Sequence, residues 1–120
     1  MTRIAFVSLV VAAIAAAAAL ASAQAATPVL KGEVGPGFTI EVNKAGKDVK
    51  KLKAGTYRIK VEDKSDIHNF HLMGPGLNKS TTISFVGEKI WKIKLKPGKY
   101  TYQCDPHAFN GMKGTFKVTR

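Results

Sequence analysis

Apolar and polar residues alternate along much of the chain beyond its first 25 positions. Phe38, Ile40 and Val42 are separated by Thr39 and Glu41, and Tyr57, Ile59 and Val61 by Arg58 and Lys60. Trp91, Ile93 and Leu95 alternate with Lys92, Lys94 and Lys96, and Tyr100, Tyr102 and Cys104 with Thr101 and Gln103. A period of two places successive side chains on opposite faces, so each run predicts a strand with one buried face. Turn-forming residues separate the runs: Gly35-Pro36-Gly37, Ala54-Gly55, Gly74-Pro75-Gly76 and Pro97-Gly98. The stretch 43–53 is polar and rich in lysine, and reads as a loop, a turn of helix or an irregular strand. No long amphipathic helix is patterned. The expectation is an all-β domain, a sandwich of antiparallel strands with Greek-key links. A small closed barrel shares this alternation.

The N-terminus breaks the pattern. Arg3 precedes an apolar, mostly alanine run from Ile4 to about Ala23, which ends in the small-residue sites Ala21-Ser22-Ala23 and Ala23-Gln24-Ala25. This is the layout of a secretory signal peptide cleaved after Ala23 or Ala25. It predicts one exported domain over residues 26–120, in the periplasm. An uncleaved anchor is the alternative, since a bilayer needs roughly 20 apolar residues; so much alanine is weakly hydrophobic for that task. No twin arginine is present, so export is expected in the unfolded state, with any metal acquired outside the cytoplasm. The full chain carries 19 basic and 8 acidic side chains. Loss of Arg3 with the leader leaves a net charge of +10.

Export makes the cysteine count informative. Disulfides are usual in an oxidising compartment, yet this chain has one cysteine. A lone exported thiol calls for a partner chain, a reactive role or a metal. Its neighbours favour the metal: Tyr102-Gln103-Cys104-Asp105-Pro106-His107-Ala108-Phe109-Asn110-Gly111-Met112 places a thiolate, an imidazole and a thioether at Cys-x2-His-x4-Met spacing. Two histidines, one cysteine and a weak axial methionine form a blue-copper electron-transfer site. The missing histidine is His68 or His71. Strand parity puts His68 on the face of Phe70 and Leu72, which should look inward, and His71 on the face of Asn69 and Met73. His68 is therefore the expected ligand and His71 a rim residue. Taken singly, Cys104 and Met112 also read as core residues and His107 as a loop residue.

These residues carry a resemblance. His68-Asn69 upstream, with Cys104-x2-His107-x4-Met112 near the C-terminus, resembles the cupredoxin family of type 1 blue copper proteins. The ligand-loop spacing is similar to plastocyanin, and His68-Asn69-Phe70-His71 resembles amicyanin-like members. The resemblance implies an eight-stranded or similar Greek-key sandwich with one type 1 copper ion near one end. It implies His68, Cys104, His107 and Met112 as metal ligands. It also implies that Asn69 ties the two ligand loops together, its backbone N–H reaching toward the Cys104 sulfur. The electron would pass through His107, with Pro75, Leu77, Pro106 and Phe109 as candidate rim residues. Two positions depart from the pattern. Ile67 stands where many relatives have proline, and Asp105 stands where a small hydroxyl residue is frequent. The charge of Asp105 would lower the reduction potential.

Three histidines are too few for a copper enzyme with further metal centres, so an electron carrier without catalysis of its own is expected. Copper storage or delivery in the periplasm is the alternative reading. Lys92, Lys94 and Lys96, with Lys50, Lys51 and Lys53, either keep a monomer soluble or steer it toward an acidic redox partner or an anionic membrane surface. Export argues against nucleic acid as the partner of this charge.

Overall fold

The computed structural model describes residues 26–120, so the leader and its cleavage sites lie outside the described residues. Ten strands are found among them: β1 Val29–Val34, β2 Ile40–Lys44, β3 Lys47–Asp48, β4 Lys51–Lys53, β5 Gly55–Asp63, β6 His71–Gly74, β7 Leu77–Ser80, β8 Gly87–Leu95, β9 Gly98–Gln103 and β10 Lys113–Thr119. They form two five-stranded sheets, ordered β3-β2-β1-β5-β8 and β4-β10-β9-β6-β7. The sandwich expectation holds and the closed barrel is excluded, because each sheet has two free edges.

The alternation reads directly as burial. Tyr57, Ile59 and Val61 of β5, Ile93 and Leu95 of β8, and Tyr100 and Tyr102 of β9 all point into the core, while the lysines between them face water. Two strand pairings differ from the antiparallel expectation: β1 runs parallel to β5, and β4 parallel to β10. Both follow from strands that change sheet. After β2, the chain turns through Ala45 and Gly46, both with positive φ, as a tight two-residue hairpin requires. It adds β3 to one sheet and then crosses to lay β4 on the other. The stretch 43–53 is thus an irregular strand, pinned to the core by Val49 and Leu52.

Phe38 departs from the alternation. It lies before β2, is 60% exposed and belongs to the turn after Gly35-Pro36-Gly37. Close approach between backbone and ring explains three glycines. A Cβ at Gly32, Gly74 or Gly114 would collide with Phe70, Tyr100 or Tyr102 respectively. These aromatic rings fill the space between the sheets, with Tyr100 stacked on Phe116 and Phe70 stacked on Tyr102.

Candidate metal centre

Three segments meet at one end of the sandwich. The first is the crossover between β5 and β6, which carries His68 and Asn69. The second is the end of β9, followed by Cys104 and a 3₁₀ segment, Asp105–Asn110. The third is Met112, at the entry to β10. The crossover is fixed from below: the Phe70 N–H donates to Thr81 Oγ1 at 2.9 Å, and the Thr81 N–H returns a bond to Phe70 O at 3.0 Å. His68 is fully buried with Phe70 and Leu72.

The loop from Cys104 to Met112 is laced through its own backbone. The His107 N–H donates to Cys104 O at 3.1 Å, the Met112 N–H to His107 O at 3.3 Å, and the Cys104 N–H to Met112 O at 3.0 Å. The three sequence-predicted loop residues are therefore bonded to one another in a ring. The chain can reverse inside this ring because Gly111 adopts φ 90°, a conformation in which glycine carries no Cβ penalty. Pro106 opens the 3₁₀ segment, where its missing N–H costs nothing.

The donor atoms converge. His68 Nδ1 and His107 Nδ1 lie 3.0 Å apart, and Cys104 Sγ lies 3.6 Å from the first and 3.4 Å from the second. A point equidistant from all three is about 1.9 Å from each, near the roughly 2.0–2.3 Å at which imidazole nitrogen and thiolate sulfur bind a comparable divalent ion. The donor set is soft and mixed, and Met112 beside it is fully buried. Among the described residues, this is the one group of His, Cys or acidic side chains poised for a metal. The residues therefore fit a small soft-tolerant cation, and copper in particular.

Three features surround this triangle. First, His71 stays outside the triangle and forms a polar network with Asp105. Its Nδ1 is 2.9 Å from Asp105 Oδ1, and its Nε2 is 2.6 Å from Asn78 Oδ1. Second, the tie between ligand loops is made by the Asn69 side chain. Asn69 Nδ2 donates to Asp105 Oδ2 at 2.8 Å, and the Asp105 N–H donates to Asn69 Oδ1 at 2.7 Å. Third, Pro75 and Leu77 do not reach the metal end. Pro75 packs against Gly98 at the start of β9, whereas Cys104 follows its end. The cause is register: β6 pairs antiparallel with β9 from His71–Gln103 onward, and so carries its hairpin away from the site.

Phe38 takes the place of those two residues. Its ring packs edge-on against both His68 and His107, with centroids 5.4 and 4.9 Å away. Period-two reading assigned it to a core face; the preceding Gly-Pro-Gly turn is the signal that it could belong to a loop. Phe109 is wholly exposed and Pro106 exposed on the same 3₁₀ segment as His107.

Electrostatics around Asp105 are settled by its partners. Burial pushes its carboxyl up, but hydrogen bonds from Gln103, His71 and Asn69 outweigh this and hold it below the ordinary range. Burial opposes the charge on His71, yet its bonds to Asn78 and Asp105 and the Asp105 charge raise its pKa. Both ring nitrogens of His71 face oxygen acceptors, which suits the cation.

A family profile described as "Copper binding proteins, plastocyanin/azurin family" matches residues 16–119. Among solved structures, rusticyanin is similar with a TM-score of 0.59 and 24% identity, over 78% of this chain and 78% of that one. Rusticyanin from Thiobacillus ferrooxidans gives a TM-score of 0.55 and 24% identity, over 78% and 77%. Dithionite-reduced auracyanin from the photosynthetic bacterium Roseiflexus castenholzii gives 0.53 and 17%, over 78% and 98%. At such identities, the structural likeness speaks for the fold. No curated protein matches the sequence.

Proposed function

Because the chain belongs to the plastocyanin/azurin family of copper-binding proteins, we propose that it is an exported one-electron carrier. In this reading, His68 Nδ1, Cys104 Sγ, His107 Nδ1 and the Met112 thioether would hold one type 1 copper ion. The observation that carries it is the convergence of two imidazole nitrogens and one sulfur within 4.8 Å. When bound, copper supplies the Cu(II)/Cu(I) couple. The chain's residues do the rest. The backbone ring through Cys104, His107 and Met112 holds three of the donors against displacement when an electron arrives. Burial of His68, Cys104 and Met112 excludes water. Of the four, His107 alone is only half-buried, so it is the natural exit for the electron, among Phe38, Pro106 and Phe109.

The same features argue against catalysis. His71 is engaged by Asp105 and Asn78 and is not free for a second copper centre. Buried ligands also disfavour delivery, which needs an accessible metal. The alanine-rich leader supports export to the periplasm, and no helix among the described residues is long and apolar enough to cross a membrane. The partner is a redox protein, acidic where it meets this basic monomer. Coulometric titration of the copper-loaded mature protein tests the carrier reading. One electron per molecule should enter and leave reversibly, with copper retained in the presence of a chelator; rapid loss of copper to the chelator would favour delivery instead.

A further inference from the structure

Two buried side-chain polar atoms among the described residues lack a hydrogen-bond partner: Asp63 Oδ2 and His68 Nε2. One is an acceptor, and the other is able to donate. Both residues are almost wholly removed from water, Asp63 at 2% exposure and His68 at 0%. An unpaired buried polar atom is costly, so two of complementary kind in one region call for a common explanation.

They share a corner of the fold. A Cβ at Gly35 would lie 3.1 Å from His68 Cδ2, the carbon bonded to Nε2, and 3.3 Å from Ser65 Cβ. The Ser65 N–H donates to the other Asp63 oxygen, Oδ1, at 3.0 Å. Asp63 pairs in register with Val34, the neighbour of Gly35, and the Lys64 N–H donates to Val34 O at 3.0 Å. The carboxyl is thus clamped through Oδ1 by its own turn, and its unpartnered Oδ2 belongs to the same corner of the fold as the unpartnered Nε2. Burial pushes the Asp63 carboxyl up, while the Ser65 bond and the charge of His68 act the other way.

We propose that Asp63 is the positioning residue of His68, accepting the Nε2–H hydrogen bond on Oδ2 directly or through one buried water. The inference rests on His68 being a ligand. A neutral imidazole carries one proton, and Nδ1 offers a lone pair only if that proton sits on Nε2. A carboxylate at Nε2 selects this tautomer, fixes the ring plane toward Cys104 and His107, and strengthens the ring as a donor to metal. The bare Cα of Gly35 leaves room for the ring edge in this arrangement.

Nitrogen-15 NMR of the metal-free mature protein reads the His68 tautomer without copper. Wild type should be predominantly Nε2–H. Asp63→Ala should move the tautomer ratio several-fold toward Nδ1–H. Asp63→Asn has a single oxygen, which the Ser65 N–H claims, so its amide NH2 faces His68 Nε2 and should move the ratio the same way. It should also raise the reduction potential of the copper-loaded protein, because a negative charge near the ligand is gone. If Asp63 merely caps its own turn, both variants would lower the thermal midpoint and leave the tautomer at its wild-type ratio, which overturns the proposal. If Asp63→Ala does not fold, the His68 tautomer in Asp63→Asn decides alone. If the wild-type protein binds no copper and Asp63→Ala still shifts the tautomer, the ligand reading fails while the Asp63–His68 contact stands.

Discussion

The pair formed by Asp105 and His71 sets the charge beside the ligand loop. Asp105 follows Cys104 directly, and three side chains hold it ionised. His71 has a raised pKa, so its cation stabilises the fold below the ordinary imidazole value near 6.5, and that contribution is lost as pH climbs through the folded value. Asp105 has a lowered pKa, so its contribution is present above the ordinary carboxylate value and is lost as pH falls through the folded one. Proton NMR should find His71 titrating above its ordinary value in wild type and lower in Asp105→Asn. Well above the His71 pKa, nothing offsets the Asp105 charge, and Asp105→Ser should raise the reduction potential there. An unchanged potential at that pH would show that the carboxylate does not act on the metal. At this scale, the sequence showed which donors exist, and parity pointed to His68 over His71, although the crossover is not a strand and buries His68, Asn69 and Phe70 alike. It did not show Phe38 over the histidines, or the Asn69–Asp105 pair. Those contacts join residues 30 or more positions apart, and no local pattern records them.

Strands and the loops between them determine how firmly the site is held. Tyr100 of β9 spans the far end of the sandwich from the metal. Its hydroxyl accepts from the Lys96 N–H at 2.9 Å and donates to Pro75 O at 3.0 Å, while its ring covers Gly74. It thereby joins the β8–β9 link to the β6–β7 hairpin, much as a tyrosine corner does in other sandwiches. Tyr100→Phe leaves the part-buried Lys96 N–H and Pro75 carbonyl without this partner and should cost about 0.5–1.5 kcal/mol. Chemical denaturation checks this; a midpoint unchanged from wild type would mean that water replaces the hydroxyl freely. The copper site should remain intact in this variant, because the ring of bonds through Cys104, His107 and Met112 lies at the opposite end. Strands β5, β8 and β9 were legible because each buries one whole face. The short β3 and β4 were not, because strands of two and three residues that change sheet have no room for a period. Pro75 and Leu77 were misplaced for the same reason. Their turn was visible, but which end of the sandwich it occupies depends on β6–β9 register.

Charge is divided unequally over the whole molecule. The strands of the sheet β4-β10-β9-β6-β7 carry six lysines and no acidic residue. The strands of the other sheet carry eight basic and six acidic residues, several joined in ion pairs such as Lys31–Glu62 and Lys60–Glu88. Lys117 even sits in register between Lys51 and Lys99, an arrangement of like charges that costs stability locally. A one-signed face of this kind steers an oppositely charged partner and is screened by salt. Electron exchange with an acidic partner should therefore slow by about tenfold or more between low and high ionic strength. Lys99→Glu with Lys117→Glu should slow it further at low salt, and stopped-flow mixing reads both effects. A rate indifferent to salt would reduce these lysines to solubility. All of this presumes that copper sits among His68, Cys104, His107 and Met112, and one spectrum addresses that most directly. Copper(II) added to the purified mature protein should produce an intense blue charge-transfer band that vanishes on reduction, returns on reoxidation and is absent in Cys104→Ala. A protein that stays colourless with copper(II), or a band that survives loss of the Cys104 sulfur, would contradict the account.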